Sequence, residues 1–450
     1  MAERGWRLLQ SGEYIVADLP ELEPKAAALV DAAVTRLAEG GQSSPARMRE
    51  TLRSACLAAG TLPTKAEFAG LLAAAERSVS GFGVLDCLLA DPELEEIAVT
   101  GIGQPVRVYH RTRGWLTTNI EFTQEGALVN LINKMARALG RRITLQQPKL
   151  NAVLPDGSRL HAAIPPVAFS GPELTIRKFR QQPFSPADLI SLNAFTAEAA
   201  ALLWFAAQSD CSILIVGNTS SGKTSLLNSL FSFVPLGDRV VITEETPEIN
   251  IPHKHQVRMV ANRELAIDMR DIVADTLRMR PDRVIVGEVR TRPELEALFE
   301  TILAGQARGC YATFHGLSAK EALVRAASAG IPAIDLQSLD LVIAVRRWMQ
   351  YAGGMGTEKR RVMEIAEVSK TEWDGQLPKL VPLFAYDHET DRLERVPQKQ
   401  SALTERLRLA FSMSKSQFEK ELGKRADLLN ELVLLKPPFS AAVERIQAFL

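Results

Sequence analysis

The residues of this chain best suited to chemistry lie between Gly217 and Thr224, in the stretch GNTSSGKT. Gly217, Gly222, Lys223 and Thr224 fit the pattern G-x-x-x-x-G-K-[ST], in which backbone N–H groups and a helix N-terminus form a nest for phosphate oxygens. Lys223 would reach the β- and γ-phosphates, and the Thr224 hydroxyl would help to hold Mg²⁺. Asn218, Thr219, Ser220, Ser221 and Ser225 complete the expected cradle. The flanks agree with it, because Ile213 to Val216 is a β-branched and aliphatic run and an apolar periodic segment follows Thr224. The order is strand, loop, helix, and the expected ligand is ATP with Mg²⁺.

Hydrolysis of ATP needs more than a cradle. A carboxylate must position water, another must help hold the metal, and positive charge must meet the transition state. After the strand signal Arg239 to Thr243 comes EETPE, and after Arg283 to Gly287 comes Glu288, so acids stand at the carboxyl ends of two strands, where open α/β sheets bind ligands. Glu244 is the candidate for orienting or deprotonating water, with Glu245 and Glu248 as alternatives, and Glu288 is the candidate beside Mg²⁺. His315 follows a third strand signal, Tyr311 to Phe314, and could sense the γ-phosphate. Arg278, Arg280, Arg283 and Arg290 crowd the second acidic segment.

The elements that must position these groups follow from pattern. Strands alternating with helical stretches predict a RecA-like α/β core with a parallel sheet over 189–370. Before it, residues 1–90 read as helical, with Ser44-Pro45 and the Thr64-x-x-Glu67 capping box as helix starts. Residues 91–180 read as an α+β module. Its helix carries Leu128, Leu131, Ile132, Met135 and Leu139, and its Asp156-Gly157 turn joins two strands. The polar, proline-bearing stretch RQQPFSPA places a linker at 181–188, and 371–450 reads as a strand and helical extension.

Totals narrow the class. Lys plus Arg is 53 and Asp plus Glu is 53 in 450 residues, a balance that argues against a nucleic-acid coating role. Neither a long apolar tract nor a secretory leader is evident, so a cytoplasmic protein is expected. Four scattered cysteines without a C-x-x-C pair predict no zinc site. An N-K-x-D guanine reader and an LSGGQ-like signature are both missing, which excludes ordinary GTPases and ABC ATPases.

From about Gly81 to Val368 the chain resembles the type II/IV secretion ATPases, in their archaeal pilus or tight-adherence branch. The resemblance is carried by GFGVLDCLLADPELEEIAVTG, LPDGSRLHAAIPP, LTIRKF, the phosphate loop, TEETPE, RMRPDRVIVGEVR and AGQARGCYATFHGLSA, in that order. It implies a hexameric ring of two-domain subunits with ATP held between the domains. It also implies arginines of the N-terminal module, here Arg159 and Arg177, completing the site. The implied setting is a cytoplasmic motor peripheral to the cytoplasmic membrane, acting on a polytopic platform protein and on pilin-like or secreted substrates. Gln306 stands where the family usually has a first histidine, and Glu245 where it commonly has Asp. The rival expectations are a DNA-translocating, conjugation-type motor and a nucleotide-binding scaffold that does not hydrolyse.

Overall fold

The computed structural model describes residues 6–8, 13–16, 24–39, 45–137, 140–262, 265–352, 355–397 and 401–449. Ser44 and Leu139 lie outside them. The chain divides into two units, Met1–Arg180 and Gln181–Leu450.

In the first unit the strands are β1 (Trp6–Leu8), β2 (Glu13–Val16), β3 (Leu94–Val99), β4 (Pro105–His110), β5 (Gly114–Glu121), β6 (Lys149–Val153), β7 (Arg159–Ala163) and β8 (Glu173–Arg177). They form one sheet in the order β1-β2-β5-β4-β3-β8-β7-β6. The helix Glu125–Arg137 buries Leu128, Ile132 and Met135 against Ile97, Val106 and Ile176 in the same apolar cluster. Three further helices, Pro24–Glu39, Pro45–Ala58 and Lys65–Ser80, share a second cluster that includes Leu37, Leu52 and Leu71. The capping box exists as reciprocal bonds, Thr64 N–H to Glu67 at 2.7 Å and Glu67 N–H to the Thr64 hydroxyl at 3.3 Å.

The helical expectation for residues 1–90 is corrected at its start. β1 and β2 pair with each other, and β2 runs parallel to β5. Strands of 3 and 4 residues are too short to register as a period-two pattern. Between β6 and β7 the Asp156-Gly157 turn needs its glycine. Gly157 has φ +88°, and a Cβ there would lie 2.8 Å from the Phe179 ring.

The second unit holds β9 (Ile213–Gly217), β10 (Val240–Glu244), β11 (Gln256–Val260), β12 (Arg283–Val289), β13 (Cys310–Phe314), β14 (Leu341–Ala352), β15 (Met355–Asp374), β16 (Leu377–Asp387) and β17 (Arg392–Arg395). Their order is β11-β10-β12-β13-β9-β14-β15-β16-β17. Pairing is parallel from β11 to β14 and antiparallel from β14 to β17. The parallel part has the strand order of a RecA-like P-loop core, with the loop-bearing β9 between β13 and β14.

Both faces of the sheet are covered over β9, β10, β12 and β13, which is why those strands read as apolar runs. Ile213, Ile215, Ile285, Leu341 and Ile343 enter one cluster with the helices Ala197–Gln208 and Lys415–Leu435. Leu214, Val216, Val284, Val286 and Val342 enter the other with the helices Arg292–Leu303 and Ala319–Ser328.

Two expected boundaries move. The sheet does not stop at 370, since β15 runs to Asp374 and β16 and β17 extend it. The 181–188 stretch is not all linker. Ser185 caps the helix Pro186–Ser191 through a capping box with Asp188, and Pro186, Ala187 and Leu189 are buried. Serine three residues before aspartate, with proline at the first helical position, carried that signal.

Candidate active site

Parallel pairing puts the carboxyl ends of β10, β12, β13 and β9 side by side. Each ends in a group that the sequence singled out. β9 ends at Gly217, where close packing forbids any side chain: a Cβ would lie 2.3 Å from the Val345 carbonyl and 2.4 Å from the Ser221 hydroxyl. The loop turns through Ser220 at φ +58° and Gly222 at φ +98° before the helix Lys223–Leu230. That turn aims the first N–H groups of the helix back over the loop.

Lys223 is buried, and its ammonium donates to the carbonyls of Gly217 at 3.1 Å and Asn218 at 3.2 Å. The buried Ser221 hydroxyl has no partner among the described residues. Thr219 is exposed on the loop, and Ser225 is half-buried in the first turn of the helix. The Thr224 hydroxyl donates to Glu248 at 3.3 Å. An ammonium resting on loop carbonyls, an unpaired hydroxyl and a glycine-shaped nest together fit a polyphosphate. Thr224, Glu248 and Glu288 supply hard oxygen atoms of the kind Mg²⁺ takes. Among the described residues no cluster of three or more His, Cys, Asp or Glu side chains could hold a metal unaided.

Asn218 plays a part that the sequence did not disclose. Its amide donates to the Arg347 carbonyl at 3.1 Å and accepts the Arg347 N–H at 3.0 Å. β9 pairs with β14 only as far as Gly217↔Val345, and the Asn218 side chain continues that ladder in place of backbone. Its contribution to a ligand is left to its main chain.

The acidic segment after β10 separates into three roles. Glu244 is buried, and its Oε1 accepts the N–H groups of Glu248 at 2.6 Å and Ile249 at 2.7 Å. Its Oε2 faces Arg258 at 3.5 Å. Burial pushes its carboxyl up, against the two N–H bonds and Arg258. Glu244 therefore shapes the loop that carries Glu248. Glu245 is paired with Arg290, and Glu248 is the acid that reaches Thr224.

Glu288 is aimed by a bulge. The β12–β13 register shifts between Val286 and Val289, and Gly287 fits there because a Cβ would lie 2.9 Å from Glu244 Cγ. Glu288 Oε1 lies 2.9 Å from His315 Nε2 and 3.9 Å from Lys223 Nζ. Its Oε2 accepts from Arg290 Nε at 2.7 Å and also from Arg290 Nη2. Burial pushes the Glu288 carboxyl up, but Arg290, His315 and Lys223 outweigh it and hold it below the usual range. Burial, then the Lys223 charge, lowers the His315 pKa, against the pull of Glu288.

Lys223, Glu288, His315 and Arg290 thus converge, with Thr224 and Glu248 beside them. Other candidates fall elsewhere. Gln306 is exposed ahead of β13, at the amino end of the strand that carries His315 at its carboxyl end. The amino end of the neighbouring β12 holds Arg283, fully buried and bonded to Asp238 at 2.9 Å. Arg278 is an exposed partner of Asp275 at 3.0 Å, and Arg280 precedes β12. Arg159 and Arg177 belong to the first unit, where they are direct cross-strand partners on β7 and β8.

These features define a P-loop nucleotide-binding α/β unit. The family described as Type II/IV secretion system protein matches residues 83–364, more than half of the chain, and the chain belongs to that family. An uncharacterized protein of Methanocaldococcus jannaschii is 39% identical over 223 residues, covering 47% of this chain and 31% of that protein. A second uncharacterized protein of that organism is 31% identical over 368 residues, covering 80% of this chain and 65% of that one. The chain thus spans less than two thirds of either relative. The conjugal transfer protein TrbB of Rhizobium radiobacter is 30% identical over 246 residues, covering 52% of this chain and 73% of that protein.

Proposed function

We propose that the chain is the ATP-hydrolysing subunit of a secretion or pilus-type membrane machine. The observation that carries this reading is the meeting, at adjacent strand ends, of a phosphate-loop lysine with Glu288, His315 and Arg290. The loop N–H groups and Lys223 bind and orient the polyphosphate. Thr224, Glu248 and Glu288 are the residues that would hold Mg²⁺, directly or through water. Bound there, the ion would neutralise charge on the phosphate oxygens. Glu248, beside Thr224, is the acid best placed to orient the attacking water, since Glu244 is committed to the loop through Oε1. His315, hydrogen-bonded to Glu288, holds that carboxylate and would report on the phosphate.

In this reading the subunits form a ring, a hexamer, and Arg159 and Arg177 supply the charge that completes a site. An arginine supplied in this way is worth about 10³ to 10⁵ in rate. The working place is the cytoplasmic face of the membrane, with a polytopic platform protein as partner and pilin-like or secreted proteins as cargo. Among the described residues no helix is long and apolar enough to cross a membrane. The name of the conjugal transfer relative favours a second reading, a DNA-translocating, conjugation-type motor. Salt-sensitive stimulation by DNA is its signature.

The test is Mg²⁺-dependent ATP hydrolysis measured against protein concentration, with Lys223→Ala as background. A specific rate that rises with concentration supports a site completed between subunits. A wild-type rate no higher than that of Lys223→Ala, at every concentration and with membranes added, sinks the hydrolase reading.

A further inference from the structure

Arg290 holds two acids at once. Its Nη1 donates to Glu245, at the end of β10, while its Nε and Nη2 both donate to Glu288, on the β12 bulge. With His315 on the other oxygen of Glu288 and Thr224 on Glu248, the site carboxylates already face protein donors. A guanidinium bridging two carboxylates occupies the electrostatic place of a cation, because both satisfy the same negative charge.

The attachment of Arg290 is divided. Its backbone N–H is fixed by Glu294 Oε2 at 2.6 Å, and Glu294 also closes the capping box with Thr291 at the start of the helix Arg292–Leu303. The side chain beyond is 43% exposed. The fork can therefore leave both acids while its main chain stays in place.

We propose that Arg290 is the resting counter-ion of Glu288 and Glu245, and that a divalent cation arriving with nucleotide must displace it. The inference rests on the nucleotide-site reading above. Arg290 is then a positioning residue: it keeps two acids from repelling each other in the empty site and sets the Mg²⁺ concentration at which the site fills. A purely structural strut would alter stability and leave that concentration alone.

The experiment titrates Mg²⁺ into the full chain at a saturating, slowly hydrolysed ATP analogue. The rise in unfolding temperature is followed, and binding of Mn²⁺ is read directly by electron paramagnetic resonance. In Arg290→Gln the half-saturating metal concentration should fall about three- to tenfold, the scale of a charge-assisted contact discounted for partial exposure. Arg290→Lys, which keeps charge but loses the fork, should fall in between. Arg290→Met, uncharged and of similar length, should lower the midpoint likewise, which keeps the idea testable if Arg290→Gln does not fold. An unmoved or raised midpoint in Arg290→Gln, or in Arg290→Met where that variant replaces it, overturns the displacement alone. A wild-type chain with no metal-dependent rise overturns the nucleotide-site reading, and the displacement with it.

Discussion

Replacing Glu244 by glutamine tests the division of labour among the three acids after β10. Glutamine keeps an oxygen where Oε1 accepts two N–H groups at 2.6 and 2.7 Å. Loss of the negative charge weakens those bonds and the attraction to Arg258, but it also removes a charge from a buried place. The net change in stability should be within about 1 kcal/mol. Glu244→Ala instead orphans both N–H groups, at about 1–3 kcal/mol each, for a loss of about 2–5 kcal/mol. Turnover should survive Glu244→Gln within a few-fold and collapse by about 10² to 10⁴ in Glu248→Gln, the range for a general base. Steady-state ATPase assays beside thermal unfolding would separate these outcomes. A Glu244→Gln protein of normal stability that has lost its turnover would refute the assignment, as would a fully active Glu248→Gln.

The same carboxylate gives a pH signature. Burial raises the Glu244 pKa in the folded chain above its unfolded value, so the fold binds the extra proton and stability from this group grows as pH falls through that raised pKa. The wild type should therefore gain on Glu244→Gln between neutral pH and the ordinary carboxylate range, as seen in paired denaturant titrations. Glu288→Gln should still bind ATP but turn it over at least about 100-fold more slowly, by equilibrium binding beside single-turnover rates. Asn218→Ala removes two bonds to the Arg347 backbone, worth about 1–3 kcal/mol together. The Arg347 amide should then exchange its hydrogen about 5- to 150-fold faster, with weaker nucleotide binding; unchanged exchange would show that the joint carries no load.

The phosphate loop and the two acid-bearing strand ends were legible because each is local. Glycine at a required backbone angle, lysine before the helix and acids closing apolar strands are all readable within a dozen residues. His315 was legible for the same reason. What escaped depends on register and burial. Nothing in EETPE says which acid turns inward; that follows from β10 ending at Glu244, so that Oε1 meets the N–H groups of the next turn. Arg283 and Arg290 look alike in RVIVGEVR, yet one lies at the amino end of β12 with Asp238 and the other beyond its carboxyl end with two glutamates. Gln306 and His315 flank one strand, and the direction of that strand alone sends one of them away from the phosphate loop. β1 and β2 were missed because so few residues carry no measurable periodicity.

The Asn218 amide has a mechanical meaning. Parting two parallel strands breaks a cooperative ladder and exposes backbone along its length. A joint made by one side chain is a shear pin, closed by two bonds and opened at a cost within reach of a bound nucleotide's energy. The pin joins the loop that grips phosphate to β14, and β14 with β15 reaches past the end of β9 as a hairpin. Those two bonds tie the first residue after Gly217 to the part of β14 that β9 no longer pairs, so the anchoring of the loop to the hairpin at this point hangs on one amide.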